Sequence, residues 1–224
     1  MRALRFAARF GFEIEENTSQ AMEKCAFMLD NIARERIRDE LESFLISKGA
    51  IGILDRYFDV FCRIIPQLEG ADKSALLGMI AEASEDNLSK LAALLWQTDK
   101  AGEILRNLRY SNEIISNVSK IIENKDAKLE NDADIRRLMS KVGYENAKIL
   151  IGLIHKDKLD KLEMVKNHPH KIADLAINGE ELKAIGINGK KIGETLTMLL
   201  EAVLENPLIN ERDQLISNVK SNMA

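Results

Sequence analysis

The chain has 224 residues, 46% of them apolar and 30% charged, with three prolines, two cysteines and a formal net charge of −4. That length can bury one large core or two smaller ones, and the net charge excludes a uniformly basic nucleic-acid binder. No apolar run approaches the roughly 18 residues a bilayer span needs, and no secretory leader follows the basic first residues, so a cytoplasmic protein with no membrane partner is expected.

In chain order the residues read almost throughout as helices punctuated by Asn, Asp, Ser and Gly. The opening MRALRFAARFGFEIE is helical from its first residues, with no capping side chain ahead of it and Gly11 as its stop. Arg2, Arg5 and Arg9 are read as one cationic side of this helix, with Leu4, Ala7, Phe6 and Phe10 on the other. GFEIE is the one short alternating run and reads as an extended connection. Asn17 or Thr18 caps a helix over 18–29, and 34–47 carries Ile37, Leu41, Phe44 and Leu45 on one stripe. After a Gly-Ala break, 51–65 runs as one helix to Pro66. Further helices are predicted over 74–83, 87–96, 99–108, 112–124, 132–142 and 144–154. Residues 158–171, ending in NHPHK, read as a joint. No fixed-period repeat occurs. The predicted class is all-α, an elongated array of packed helices without a substantial sheet, divided as 1–48, 49–157 and 158–224.

Cys25 and Cys62 are too few and too far apart for a disulfide framework or a zinc site, and their apolar neighbours predict buried, reduced thiols. His155, His168 and His170 likewise lack metal-ligand spacing, and no histidine precedes them. Charge is uneven. Residues 72–135 carry 8 basic and 12 acidic side chains, whereas 136–170 carry 8 basic and 4 acidic ones, Arg136 and Arg137 among the basic. Cationic patches on an acidic protein can hold a polyanion locally; a solvated lysine-rich face has the same composition.

Two stretches could carry chemistry. In ARERIRDEL (33–41), Arg34, Arg36 and Arg38 alternate with Glu35, Asp39 and Glu40, with Arg36 and Glu40 an i,i+4 pair. Either this is a surface ion-pair ladder, or the carboxylates hold guanidinium groups in place for phosphate or base contacts. In INGEELKAIGINGKKIGETL (177–196), two Asn-Gly turns flank a short helix and Lys190 and Lys191 open the next. Free N–H groups at a helix start with two lysines suit an anion, as in hairpins that grip a nucleic-acid backbone; a plain helix-turn-helix packing unit fits the same pattern. No Asp-x-Asp after a strand, Walker loop, Gly-x-Ser-x-Gly elbow or dinucleotide fingerprint is found.

MRALRFAARFGFEIEENTSQAM followed by ARERIRDELESFLIS resembles the neck of the bacterial-type tRNA nucleotidyltransferase and poly(A) polymerase family, the CCA-adding enzymes and their A-adding and CC-adding relatives. The matching positions are Arg2, Ala3, Arg5, Phe6, Gly11, Phe12, Ile14 and Thr18, then Glu35, Arg36, Ile37, Glu40 and Leu41. GILDRYFDVFCRIIPQLEG and LRNLRYSNEII resemble the family's body, and DLAINGEELKAIGINGKKIGETLTMLLEAVLENPLINERDQLI its tail. The resemblance therefore labels 1–48 as neck, 49–157 as body and 158–224 as tail. It departs at Ala33, where a capping Ser or Thr is usual, and at Trp96-Gln97, where some relatives carry His-Asp; Asn188 stands where Pro-Gly is common.

The resemblance implies a catalytic head that precedes the neck and carries the paired aspartates, the Mg²⁺ ions and the nucleotide-selecting residues. On that expectation the chain by itself holds no catalytic residue, no cofactor and no metal, and is inactive in transferring ATP or CTP to a tRNA 3′ end. It implies that Arg2, Arg5, Glu35, Arg36 and Glu40 border the nucleotide pocket, and that Arg9, Arg34, Arg38, Arg136, Arg137, Lys190 and Lys191 contact RNA. The expected partner is tRNA or another structured RNA, with a separate head polypeptide or a second copy of the chain as further partners. A non-catalytic helical scaffold of the same ancestry, binding protein instead of RNA, is the competing expectation.

Overall fold

A computed structural model describes residues 1–223, with side chains through Ser221; Ala224, the end of the expected tail unit, lies outside the described residues. The chain is 73% helical and has no sheet among the described residues. It divides into two compact units, Met1–Lys125 with Ile149–Ile154, and Asp126–Lys148 with the chain from His155 onward.

The first unit opens with α1 (Arg2–Phe10), α2 (Glu16–Lys24), a 3-10 turn at Ala26–Asn31 and α3 (Arg34–Leu45). Next come α4 (Ala50–Arg56), α5 (Phe58–Ile64), a 3-10 turn at Pro66–Gly70, α6 (Lys73–Glu82) and α7 (Asn87–Leu94). It closes with α8 (Ala101–Asn107) and α9 (Asn112–Glu123). Leu41, Phe44, Leu54, Phe61, Leu91 and Leu105 are among the side chains of its continuous core.

Three details differ from the sequence reading, each for a local reason. Glu15, not Asn17 or Thr18, caps α2: its carboxylate accepts from the backbone N–H groups of Asn17 at 3.0 Å and Thr18 at 2.9 Å. Those bonds hold the Glu15 carboxyl below its ordinary pKa. The expected helix over 51–65 breaks at Tyr57 (φ −109°, ψ 31°), although the apolar period continues through it. The break seats the buried Tyr57 ring in the core with its hydroxyl donating to Ser19 Oγ at 3.0 Å. Cys62 is buried as expected, but Cys25 is exposed, because it ends α2 where the chain turns into the 3-10 segment.

α1 and α4 meet main chain to main chain. The Gly49 N–H donates to the Ala8 carbonyl at 2.9 Å, satisfying one of the carbonyls that a helix end leaves without a partner. A Cβ at Gly49 would stand 2.8 Å from that oxygen, so only glycine fits this approach without a shift.

In the second unit are α10 (Asp132–Val142), the Tyr144–Lys148 part of α11 (Tyr144–Ile154), and α12 (Leu159–Val165). α13 (Gly179–Ala184), α14 (Lys190–Glu205) and α15 (Arg212–Met223) complete it. Residues 126–148, assigned by sequence to the body, pack with the tail because α10 lies against α12 and α14. Leu182, Leu199, Val203, Leu215 and Val219 are among the side chains of one core cluster in it. Asn178 and Glu181 cap α13 reciprocally, the Asn178 side chain accepting from the Glu181 N–H and the Glu181 carboxylate from the Asn178 N–H. Gly189 then turns into α14 with φ 62°, a left-handed value that disfavours any side chain at that position.

Candidate nucleic-acid interface

The alternating arginines of α3 go to three different places. Arg34 lines a pocket with Asp30 and Arg63. Arg36 is exposed and borders a 200 Å³ hollow with Met1, Arg2, Leu29, Ile32, Ile37 and Glu40. Arg38 is tied inward: it donates to Asp39 Oδ1 at 2.7–2.9 Å and to the Arg109 carbonyl at 2.6 Å. Arg109 has φ 62°, an uncommon conformation for a residue with a side chain, and the bond from Arg38 fixes that turn.

The expected Arg36–Glu40 pair is not made. Glu40 instead accepts from Arg5 Nε at 2.6 Å and Arg2 Nε at 3.3 Å, joining α1 to α3. Burial raises the Glu40 pKa, but the hydrogen bonds from Arg5 and Arg2 outweigh it and hold the carboxyl below its ordinary range. Glu35 is exposed one turn earlier on α3.

The aromatic side chains of α1 also differ from the expectation. Leu4, Ala7 and Ala8 face the core, whereas Phe6 and Phe10 are exposed. The helical period is the reason: at about 100° per residue, Phe6 stands roughly 200° from Leu4. Phe6, Phe10 and Phe12 form an outer ridge, with ring centroids 5.8 and 5.4 Å apart along it. Arg5 and Arg9 lie over Phe6 and Phe10 at 4.2 and 5.4 Å. Arg9 makes no ion pair among the described residues and borders a 450 Å³ groove with Ser43, Ile46, Ser47 and Lys48. Ser43, Ser47 and Lys48 were not singled out from the sequence. The signal for them was an SxxxSK run that starts in the last turn of α3 and runs just past it, where the Ser47 hydroxyl donates to the Ser43 carbonyl at 2.8 Å.

In the second unit the two expected arginines are occupied. Arg136 is buried and caps the end of α14, donating to the Leu204 carbonyl at 2.7 Å and the Glu205 carbonyl at 3.0 Å. Its third contact is His168 Nδ1 at 3.3 Å. Arg137 pairs with Glu201 at 2.5 Å and Glu205 at 2.6 Å. A surface phosphate contact does not fit Arg136, whose guanidinium is used up inside the unit, and Arg137 is shielded by three carboxylates, those of Asp134, Glu201 and Glu205. Lys190 and Lys191 are exposed and make no ion pair among the described residues.

Gln97, which stands in the Trp96-Gln97 pair, has a structural use. Its carboxamide accepts from the Asp72 N–H at 2.8 Å and donates to the Asp72 carbonyl at 3.0 Å. Among the described residues no three His, Cys, Asp or Glu side chains come together as a metal-binding set. No helix among them is long and apolar enough to cross a membrane.

Residues 82–219 match a family model described as tRNA nucleotidyltransferase domain 2, putative. The chain belongs to the tRNA nucleotidyltransferase family. Residues 11–60 match a second model, described as the probable RNA and SrmB-binding site of polymerase A. Among the family's curated members, the CCA-adding enzyme of Enterococcus faecalis is 28% identical over 235 residues, covering 98% of this chain and 58% of that protein. The CCA-adding enzyme of Lactiplantibacillus plantarum is 30% identical over 237 residues, covering 96% and 57%. The chain thus spans somewhat over half the length of these tRNA nucleotidyltransferases, and the matched part is their body and tail portion. The fold is shared with the crystal structure of the Bacillus stearothermophilus CCA-adding enzyme in complex with CTP, at a TM-score of 0.77 and 21% identity, over 99% of this chain and 61% of that one.

Proposed function

We propose that this chain is the RNA-holding portion of a tRNA nucleotidyltransferase, acts in the cytoplasm in tRNA 3′-end processing, and grips tRNA through phosphate and shape contacts rather than base edges. One observation carries the reading. The segment matching the RNA-binding family, 11–60, contributes four of the five residues of a groove whose lining holds Arg9, Lys48 and two serine hydroxyls and no carboxylate. Lys190 and Lys191 at the start of α14 are a second free cationic pair. Transfer of ATP or CTP belongs, on this reading, to a head domain with its own Mg²⁺, and the chain alone is inactive.

A gel-shift titration with tRNA across salt concentrations tests the proposal. Counterion release predicts that log K falls with log salt by about 0.7–0.9 for each phosphate held. Absence of binding at about 50 mM salt refutes it. Label incorporated from ATP or CTP into tRNA by the purified chain would refute the inactive assignment.

The second reading, a scaffold that binds protein, is favoured by the exposed Phe6–Phe10–Phe12 ridge and by exposed Phe27 and Met28. Its partner would be a separate nucleotidyltransferase head polypeptide or a second copy of this chain. Size-exclusion chromatography with light scattering separates the readings: a concentration-independent monomer that binds tRNA leaves the scaffold reading without support.

A further inference from the structure

The first unit holds a pocket of 620 Å³ whose lining comes from the two 3-10 turns, α3, α5 and α8. That volume falls within the range of about 300–1,000 Å³ typical of small-molecule sites. Its inner wall is apolar: Ile64, Ile104 and Leu108 are 6%, 4% and 2% exposed. Its outer edge is polar, with Asp30, Arg63 and Glu69 exposed and Arg34 half-buried. Asp30 and Arg63 form an ion pair. Arg34 has no carboxylate partner among the described residues and is the lining cation available to a ligand. The carboxamides of Gln67 and Asn107 complete the edge.

With Arg63 paired to Asp30, Arg34 is the one lining guanidinium left for a ligand among the described residues, which suits a single negative charge, and the two carboxylates disfavour a di- or triphosphate. A phosphodiester has that charge and matches the forked donors of Arg34. The carboxylate of Glu69 and the two carboxamides offer acceptors and donors for sugar hydroxyls and the edge of a base. The aliphatic wall fits the base's face. The one thiol of the lining, Cys62, is pushed up to about 11, first by burial and then by the Asp59 and Glu69 carboxylates, so it stays protonated and supplies no nucleophile.

We propose that this pocket receives one unpaired nucleotide of an RNA, with the phosphodiester on Arg34 and the base against Ile64, Ile104 and Leu108. The choice of RNA as the source rests on the RNA-holding function proposed above; the chemistry of the pocket does not.

The test titrates the full chain with labelled tRNA, with a short unstructured RNA and with AMP, at about 50 mM salt. Arg34→Gln removes the phosphate partner, and Asn107→Trp fills the pocket from its exposed edge while leaving the charges in place. Circular dichroism and thermal unfolding check that both variants fold. The expected result is a loss of roughly tenfold in RNA affinity for each variant, with partial recovery in Arg34→Lys. RNA binding by the wild-type chain that neither substitution moves overturns the pocket and leaves the RNA-holding function standing. Saturable AMP binding without RNA binding overturns RNA as the source and makes this a free-mononucleotide site. Binding of neither overturns both.

Discussion

The two ends of α14 and the seam between α1 and α3 place the same kind of side chain under opposite conditions. At the seam, Arg2 and Arg5 converge on one carboxylate, Glu40, and at the far end of α14 Arg136 and Arg137 are absorbed by carbonyls and carboxylates of another helix. At the near end of α14, Lys190 and Lys191 make no ion pair among the described residues, and Arg9 at the end of α1 lies over the Phe10 ring and makes none there either. A cation on a helix surface is therefore free for a ligand only where no second element presents an oxygen to it, and sequence position alone does not say which.

Four variants probe that contrast. The largest effect is expected from Arg136→Ala, which takes the donor from the buried Leu204 carbonyl and from the Glu205 carbonyl at the end of α14 and should destabilise the second unit by about 3 kcal/mol in denaturant unfolding. A wild-type-like midpoint would show that Arg136 is dispensable to the tail. Gly49→Ala comes next: the added methyl meets the Ala8 carbonyl and should cost about 2 kcal/mol, read by the same method.

Glu40→Gln should cost about 1 kcal/mol, since both of its ion pairs are only partly shielded from water. It also carries a pH signature. The folded Glu40 carboxyl sits below its ordinary range, so the unfolded chain takes up that proton first as the medium is acidified. Its contribution is complete above the ordinary carboxylate pKa and is lost as pH falls through the lower folded value. Glu40→Gln should flatten that acid-side decline, and an unchanged pH profile would place the sensitivity elsewhere.

The smallest effect on stability belongs to Lys190→Gln with Lys191→Gln. Thermal unfolding should not move, while the salt dependence of tRNA binding should lose about one unit of slope for each phosphate contact removed. A lowered midpoint with an intact slope would make the pair structural and erase the contrast.

The helical class was legible because apolar period and Asn/Asp/Gly punctuation agree along nearly the whole chain, and they placed α3, α9 and α10 within a few residues. The break at Tyr57 was not, because the contact made there, the hydroxyl bond to Ser19, lies far away in sequence. Site residues were harder. Arg2, Arg5 and Glu40 were chosen from the family pattern, and the structure joins them, but with Arg5 rather than Arg36 as the close partner. The fate of Arg136 depends on carbonyls 68 and 69 residues away, which no local spacing encodes. The Arg34 pocket draws on five elements, so its arginine was the one lining residue the sequence offered as a ligand contact.

The bond from the Gly49 N–H to the Ala8 carbonyl has a mechanical side. Because it fastens backbone to backbone, α1 cannot spin about its own axis without unmaking it. A load applied to the outward Phe6, Phe10 and Phe12 rings would reach the start of α4 as torque on the main chain, where rotamer changes cannot absorb it. Whatever sits against that ridge thus has a stiff crank into the first unit.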